Sequence, residues 1–242
     1  MCYSEYIERG DFVKKKNLTV TAHTGCENTP QNSVESVKKA FMSGADIFEI
    51  DIRFDKKGTP LLSHDEPKGN EPLLDEIFSA FAKQKDILCN LDLKCTDNLK
   101  EISSVAKKHG VADRIFYTGV GEDFVERVKT DTPEIPYFLN LSLKPKRNHT
   151  EKYISSVIEK VKKSGAVGIN CNYKNVTKEL IDAFHKSNLQ FSVWTVDKEK
   201  LMFRFAEMNP DNITTRKPSL LKEIASGKKQ KKQSIFDKIF RK

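Results

Sequence analysis

Eight short apolar runs recur along the chain, at residues 18–23, 47–54, 88–94, 114–120, 136–142, 166–172, 190–196 and 212–215. Each is followed by a segment with helical apolar spacing: 31–44, 73–86, 97–109, 121–130, 151–165, 177–188, 198–209 and 218–226. Continuous apolar strands alternating with helices predict a parallel sheet covered on both faces. Eight such units within 242 residues predict an α/β TIM (β/α)8 barrel in preference to a doubly wound sheet. No GxGxxG or Walker A pattern competes. The extra run Thr59–His64 returns after a Lys-Lys-Gly turn and reads as a hairpin arm on the second strand, with little or no insertion beyond it.

The barrel sets where chemistry is expected, because active sites of this fold sit at the C-terminal ends of the strands. The run "IFEIDIRF" carries Glu49 and Asp51 two residues apart, so both side chains face the same side of a strand. If they faced outward, Phe48, Ile50 and Ile52 would crowd the barrel interior and the acids would meet the helix layer. An inward pair of carboxylates needs a counter-charge. Asp92, in "NLDLK", adds a third carboxylate from the next strand, unless it simply pairs with Lys94 or an arginine. Three carboxylates suit a hard divalent cation, Mg²⁺ or Ca²⁺, better than Zn²⁺.

His23 and His64 each end an apolar run at the expected mouth and are candidate general acid and base. His109, His149 and His185 sit in polar helix ends or loops and read as structural. Lys94 could stabilise developing negative charge beside an ion, or form an ordinary salt bridge to Asp92 or Glu49. Trp194 lies late in the seventh barrel strand.

Composition excludes some classes. Of the net charge of +8, +6 lies in the last fifteen residues, Lys228–Lys242, with seven Lys/Arg against one Asp. The remaining body is close to neutral, which argues against a nucleic-acid surface. The tail places Ile235, Phe236, Ile239 and Phe240 on one stripe beside Lys238, Arg241 and Lys242. That pattern fits a peripheral membrane contact with anionic lipid, a disordered basic tail, or a helix docked on the barrel itself. The expected organisation is therefore a barrel domain over 1–227 and a basic tail over 228–242. Five scattered cysteines without a CxxC pair, and a first segment without an apolar stretch, predict reduced thiols and a cytoplasmic location, with membrane association only peripheral.

The same residues resemble the glycerophosphodiester phosphodiesterase family. The chain reads "HTG" at 23–25, "TPQNSVES" at 29–36 and "GADIFEIDIRFDKKGTPLLSHDE" at 44–66. The family reads His-Arg-Gly, Pro-Glu-Asn-Thr, Gly-Ala-Asp, Glu-x-Asp, a Lys-Asp-Gly turn and His-Asp. "NLDLK" at 90–94 is similar to its Asn-Ile-Glu-Ile-Lys strand. "FSVWTV" at 191–196 and "NITTRKP" at 212–218 are similar to its Val-Trp-Thr-Val and Ile-x-Thr-Asp-x-Pro strands. The resemblance implies a metal-dependent barrel that hydrolyses a small-molecule glycerophosphodiester to glycerol 3-phosphate and an alcohol. It implies His23 and His64 as the acid–base pair, Glu49, Asp51 and Asp92 around the ion, Lys94 near the phosphate, and Trp194 lining the pocket. Thr24 falls in the substrate-binding set, at the place of an arginine, and so lacks a bidentate phosphate donor. Gln31 stands for a glutamate and Asp92 for another. The segment after His64 is short, which implies an open pocket. A phospholipase D-like or cyclising action on lysophospholipids, and a catalytically weak binding protein, are the competing functions.

Overall fold

Strand β2 (Ile47–Phe54) is the longest of the sheet, and its alternation builds two different layers. Phe48, Ile50 and Ile52 belong to the large core between strands and helices. Phe48 stands edge-on to Phe41 and Phe81, at centroid distances of 5.2 and 5.1 Å. The opposite face carries Ile47, Glu49 and Asp51 into the barrel. Ile47 joins Phe116 and Phe138 in a separate small cluster that closes the barrel floor. The acids therefore face inward, as the sequence predicts.

The computed structural model describes residues 18–228. Around β2 the strands are β1 (Thr19–Ala22), β3 (Pro60–Leu62), β4 (Leu88–Leu93), β5 (Ile115–Val120), β6 (Tyr137–Asn140), β7 (Gly168–Asn172), β8 (Gln190–Trp194) and β9 (Asn212–Thr215). All but β3 are parallel, and β1 pairs with both β2 and β9, which closes an eight-stranded barrel. Strand β3 lies antiparallel on β2, with Ile52 opposite Leu62. Its turn is held by Asp55, whose Oδ1 accepts the amides of Lys57 and Thr59 at 2.8 Å.

Among the described residues eight α-helices fill the connections: α1 (Val34–Met42), α2 (Leu74–Phe81), α3 (Leu99–Lys108), α4 (Val125–Asp131), α5 (Glu151–Ser164), α6 (Lys178–Lys186), α7 (Glu199–Met208) and α8 (Pro218–Ala225). Three begin at hydroxyl caps: Ser33, Thr150 and Thr177 accept the amides of Ser36, Tyr153 and Leu180. Helix α5 ends at Gly165 in the left-handed conformation. This is the (β/α)8 barrel expected from the sequence. None of the helices among the described residues is long and apolar enough to cross a membrane.

Several boundaries move inward. The helix expected over 121–130 starts only at Val125, because Phe124 first donates to the Gly121 carbonyl in a turn. The helix expected over 73–86 ends at Phe81, and the strand expected over 136–142 ends at Asn140. Of the basic tail only Lys228 is described, so the membrane-contact expectation for Ile235–Lys242 lies outside the described residues.

Candidate active site

Above the Ile47–Phe116–Phe138 floor, the barrel interior becomes polar. Asn90, Thr118, Asn170, Ser192, Asn212 and Thr214 are all buried. Most are satisfied by one another, as buried polar groups must be. Thr21 Oγ1 donates to Asn212 Oδ1 at 2.8 Å, and Asn212 Nδ2 donates to Ser192 Oγ at 2.9 Å. Thr118 Oγ1 bonds Asn90 Oδ1 at 2.9 Å and Asp92 Oδ1 at 2.7 Å. This layer is a rigid base for the charged groups above it.

A cavity of about 630 Å³ opens at the C-terminal ends of the strands. His23, Glu49, Asp51, His64, Asp92, Lys94 and Trp194 all line it, although they come from five different segments. The fold thus brings every expected site residue but Thr24 to one cavity wall. Thr24 is only 1% exposed, and its hydroxyl bonds Asn32 instead. The Thr24 side chain is turned toward Asn32 rather than into the cavity. A short β-branched side chain at the end of β1 packs inward, where an arginine could reach over the rim. What Thr24 does supply is backbone: its amide donates to Glu49 Oε2 at 2.7 Å.

One carboxylate oxygen each from Glu49, Asp51 and Asp92 lies within 4.8 Å of the others. Glu49 is 5% and Asp51 3% exposed. Each acid is oriented by a second group. Asn32 Nδ2 donates to Asp51 Oδ2 at 2.8 Å, while Asn32 Oδ1 accepts the Asp51 amide at 3.0 Å. Asn32 adopts the left-handed conformation (φ 51°), which asparagine tolerates. The Glu49 carboxyl is raised to about 7, chiefly by burial, with His23 opposing the rise and Asp51 and Asp92 adding to it. Lys94 Nζ lies 2.8 Å from Asp51 Oδ1 and also bonds Asp92. Burial disfavours its charge, but the Asp92 and Asp51 carboxylates outweigh that and hold the amine charged above its usual range. The salt-bridge reading of Lys94 holds for Asp92, with Asp51 rather than Glu49 as the second partner, beside the candidate ion site.

The donor set fits a hard divalent cation. It is all carboxylate oxygen, and Asp51, Asp92 and the burial-raised Glu49 face a single ammonium in a buried place, where a divalent cation would favour the ionised form of all three.

His23 Nδ1 donates to the Thr24 carbonyl at 2.8 Å and lies 3.7 Å from Glu49 Oε2. A carbonyl can only accept, so the neutral ring carries its proton on Nδ1 and presents a basic Nε2. His64 sits at the rim with its side chain 62% exposed, Nδ1 bonded to Asp65 Oδ1 at 2.9 Å. Its backbone carbonyl accepts from Arg53 Nε at 3.0 Å, which fixes the short segment that bears it. Trp194 and Asn170 line the cavity, while Trp194 Nε1 and Asn170 Oδ1 are themselves buried without a partner among the described residues.

Sequence reading did not single out Asn32, Asn90, Thr118, Asn170, Arg53 or Arg216. Asn90 precedes Asp92 by two and shares its face, which was a readable signal. Asn32 and Arg216 fall inside the quoted TPQNSVES and NITTRKP blocks, but they lie outside any strand, so no spacing fixes where their side chains point.

Comparison with known proteins agrees with this geometry. The model of the glycerophosphoryl diester phosphodiesterase family matches residues 78–220. The chain is 23% identical over 241 residues to the glycerophosphodiester phosphodiesterase of Caldanaerobacter subterraneus subsp. tengcongensis, covering 84% of this chain and 95% of that protein. It is 20% identical over 271 residues to that of Bacillus subtilis, covering 90% of each. Among solved structures, a glycerophosphodiester phosphodiesterase from Parabacteroides distasonis superposes with a TM-score of 0.71 at 20% identity, over 88% of this chain and 98% of that one. An Oleispira antarctica phosphodiesterase, solved with its product sn-glycerol-3-phosphate, gives 0.73 at 16% identity, over 88% and 99%. The family match begins after β2 and β3, so His23, Glu49, Asp51 and His64 join the site through the fold rather than through the matched segment. With more than half its length inside that match, on the same barrel, this chain belongs to the glycerophosphoryl diester phosphodiesterase family.

Proposed function

We propose that the protein hydrolyses a glycerophosphodiester to glycerol 3-phosphate and an alcohol, using a divalent cation, Mg²⁺ or Ca²⁺, and a His23/His64 acid–base pair. The observation that carries this reading is the convergence of both histidines and three carboxylates on one cavity at the C-terminal mouth. The Oleispira antarctica relative holds sn-glycerol-3-phosphate, the product this reaction would release.

Glu49, Asp51 and Asp92 would hold the cation. When bound, it supplies charge neutralisation at a non-bridging phosphate oxygen. One histidine takes the proton of the attacking oxygen at its free Nε2; that oxygen is either water, giving glycerol 3-phosphate directly, or the glycerol 2-hydroxyl, giving a cyclic phosphate that a water then opens to glycerol 3-phosphate. The other protonates the departing alkoxide, which would leave slowly as a free anion. Glu49, 3.7 Å from the His23 ring, stabilises the imidazolium that forms there. Lys94 neutralises charge that builds on the phosphoryl oxygens.

The cavity volume lies in the small-molecule range. Among the described residues its only large apolar side chains are Leu93, Phe124 and Trp194, which favours a short polar substrate over the acyl chain of a lysophospholipid.

The test is release of glycerol 3-phosphate from glycerophosphocholine and glycerophosphoethanolamine with Mg²⁺, with Ca²⁺ and with EDTA. Metal-dependent turnover is expected. Absence of turnover with every ion, in folded protein, would reject the reading.

A further inference from the structure

The cavity wall has an electrostatic problem for an anionic substrate. Four carboxylates line it: Glu49, Asp51, Asp92 and Asp123. Its only permanent cations among the described residues are Lys94 and Arg216. Lys94 divides its charge between Asp51 and Asp92 and so offsets only part of the charge of a bound phosphate. Thr24, at the end of β1, has turned its side chain into a bond with Asn32 and offers no charge. That leaves Arg216, directly after β9 and beside β1 in the barrel.

Arg216 is fixed rather than loose. Asp197 Oδ1 accepts its backbone amide at 2.7 Å, and Asp197 Oδ2 accepts its guanidinium Nη1 at 3.1 Å. The Arg216 carbonyl accepts the Glu27 amide at 2.9 Å, tying it to the loop after β1. Its side chain remains 39% exposed. A guanidinium has five N–H donors, and Asp197 takes one. The others are free for a planar, bidentate acceptor, the geometry for which arginine is suited. The segment "NITTRKP" resembles Ile-x-Thr-Asp-x-Pro, so Arg216 stands where an acid is expected, just as Thr24 stands where an arginine is expected. A guanidinium therefore stands in the cavity wall at the end of β9, the strand paired with β1.

We propose that Arg216 is a substrate-binding residue that grips the phosphate of the substrate, supplying from β9 the guanidinium that Thr24 cannot supply from β1. This rests on the phosphodiesterase reading above. Asp197 is its positioning residue.

The experiment compares wild type, Arg216→Gln and Arg216→Lys. It records kcat and KM on glycerophosphoethanolamine with Mg²⁺, calorimetric Kd for glycerol 3-phosphate, Kd for Mg²⁺ alone, and Tm. Arg216→Gln should raise KM and the glycerol 3-phosphate Kd on the order of 10- to 100-fold, with Mg²⁺ affinity and Tm held. Arg216→Lys should recover part of the loss, because it restores charge but not the bidentate fork. Equal KM and Kd in Arg216→Gln and wild type would overturn the proposal. So would losses that track a fall in Tm or in Mg²⁺ affinity, which would assign Arg216 to structure. If wild type turns over no glycerophosphodiester, the phosphodiesterase reading fails separately. Glycerol 3-phosphate calorimetry then still decides the residue: binding no tighter in wild type than in Arg216→Gln would overturn it.

Discussion

The Lys94 ammonium lies 2.8 Å from Asp51 Oδ1 while also bonding Asp92, so two of the three candidate ion ligands share one internal cation. A fixed positive charge at this distance lowers the affinity of the same carboxylates for a second cation. Lys94→Met keeps much of the side-chain volume and removes the charge. Mg²⁺ or Ca²⁺ should bind this variant about 3- to 10-fold more tightly by calorimetry, while kcat falls about 100-fold or more. Weaker ion binding would instead show that the ammonium's main task is to orient the acids.

His23 has one ring nitrogen occupied by the Thr24 carbonyl at 2.8 Å, so only Nε2 is open to the cavity. His23→Ala should lower kcat by about 10²- to 10⁴-fold. Ion affinity and secondary structure should stay near wild type, because the carboxylate cluster keeps its other partners. Retained turnover would remove His23 from the acid–base pair.

Asn32 touches no expected substrate atom, yet it grips Asp51 through both side chain and backbone, at 2.8 and 3.0 Å. Groups that orient ligands typically carry a 10- to 100-fold share of metal affinity. Asn32→Ala should weaken ion binding by about that factor and cost about 1–3 kcal/mol in urea denaturation, since buried partners lose their bonds. Unchanged ion binding would mean that strand β2 alone sets the Asp51 rotamer.

Gly119 sits in the left-handed region (φ +73°) where the pairing of β5 with β6 shifts register. A Cβ there would strike the Leu93 carbonyl and come within 3.0 Å of Asp92 Oδ1. Its amide also donates to Asn140 Oδ1 at 3.1 Å. Gly119→Ala should lose about 1–3 kcal/mol, and ion affinity should fall with it, because the strain falls directly on Asp92. A stability loss without any change in ion binding would separate the bulge from the site.

Much of this site was legible because strands carry their own geometry. The two-residue spacing of Glu49 and Asp51 fixes a common face, and the apolar residues between them leave that face only one direction. His23 and His64 were legible for a related reason: each ends an apolar run, and in a parallel barrel all such ends meet. Thr24 was not. It follows His23 in the chain, but a residue just past a strand end can turn either way, and only the bond to Asn32 decides that it turns inward.

By itself the sequence determined the barrel, the inward face of β2 and the mouth where chemistry gathers. These follow from periodicity, and periodicity is a local property of the chain. Tertiary structure alone decided which partners each charge has. Asn32 against Asp51 is a contact across 19 residues, and Thr118 against Asp92 one across 26. Lys94 chooses both Asp51 and Asp92, and Arg216 enters the cavity beside His23 although 193 positions separate them in the chain. Hydrogen bonds and ion pairs act over a few ångströms of space, so no local pattern encodes them until barrel closure brings β9 against β1.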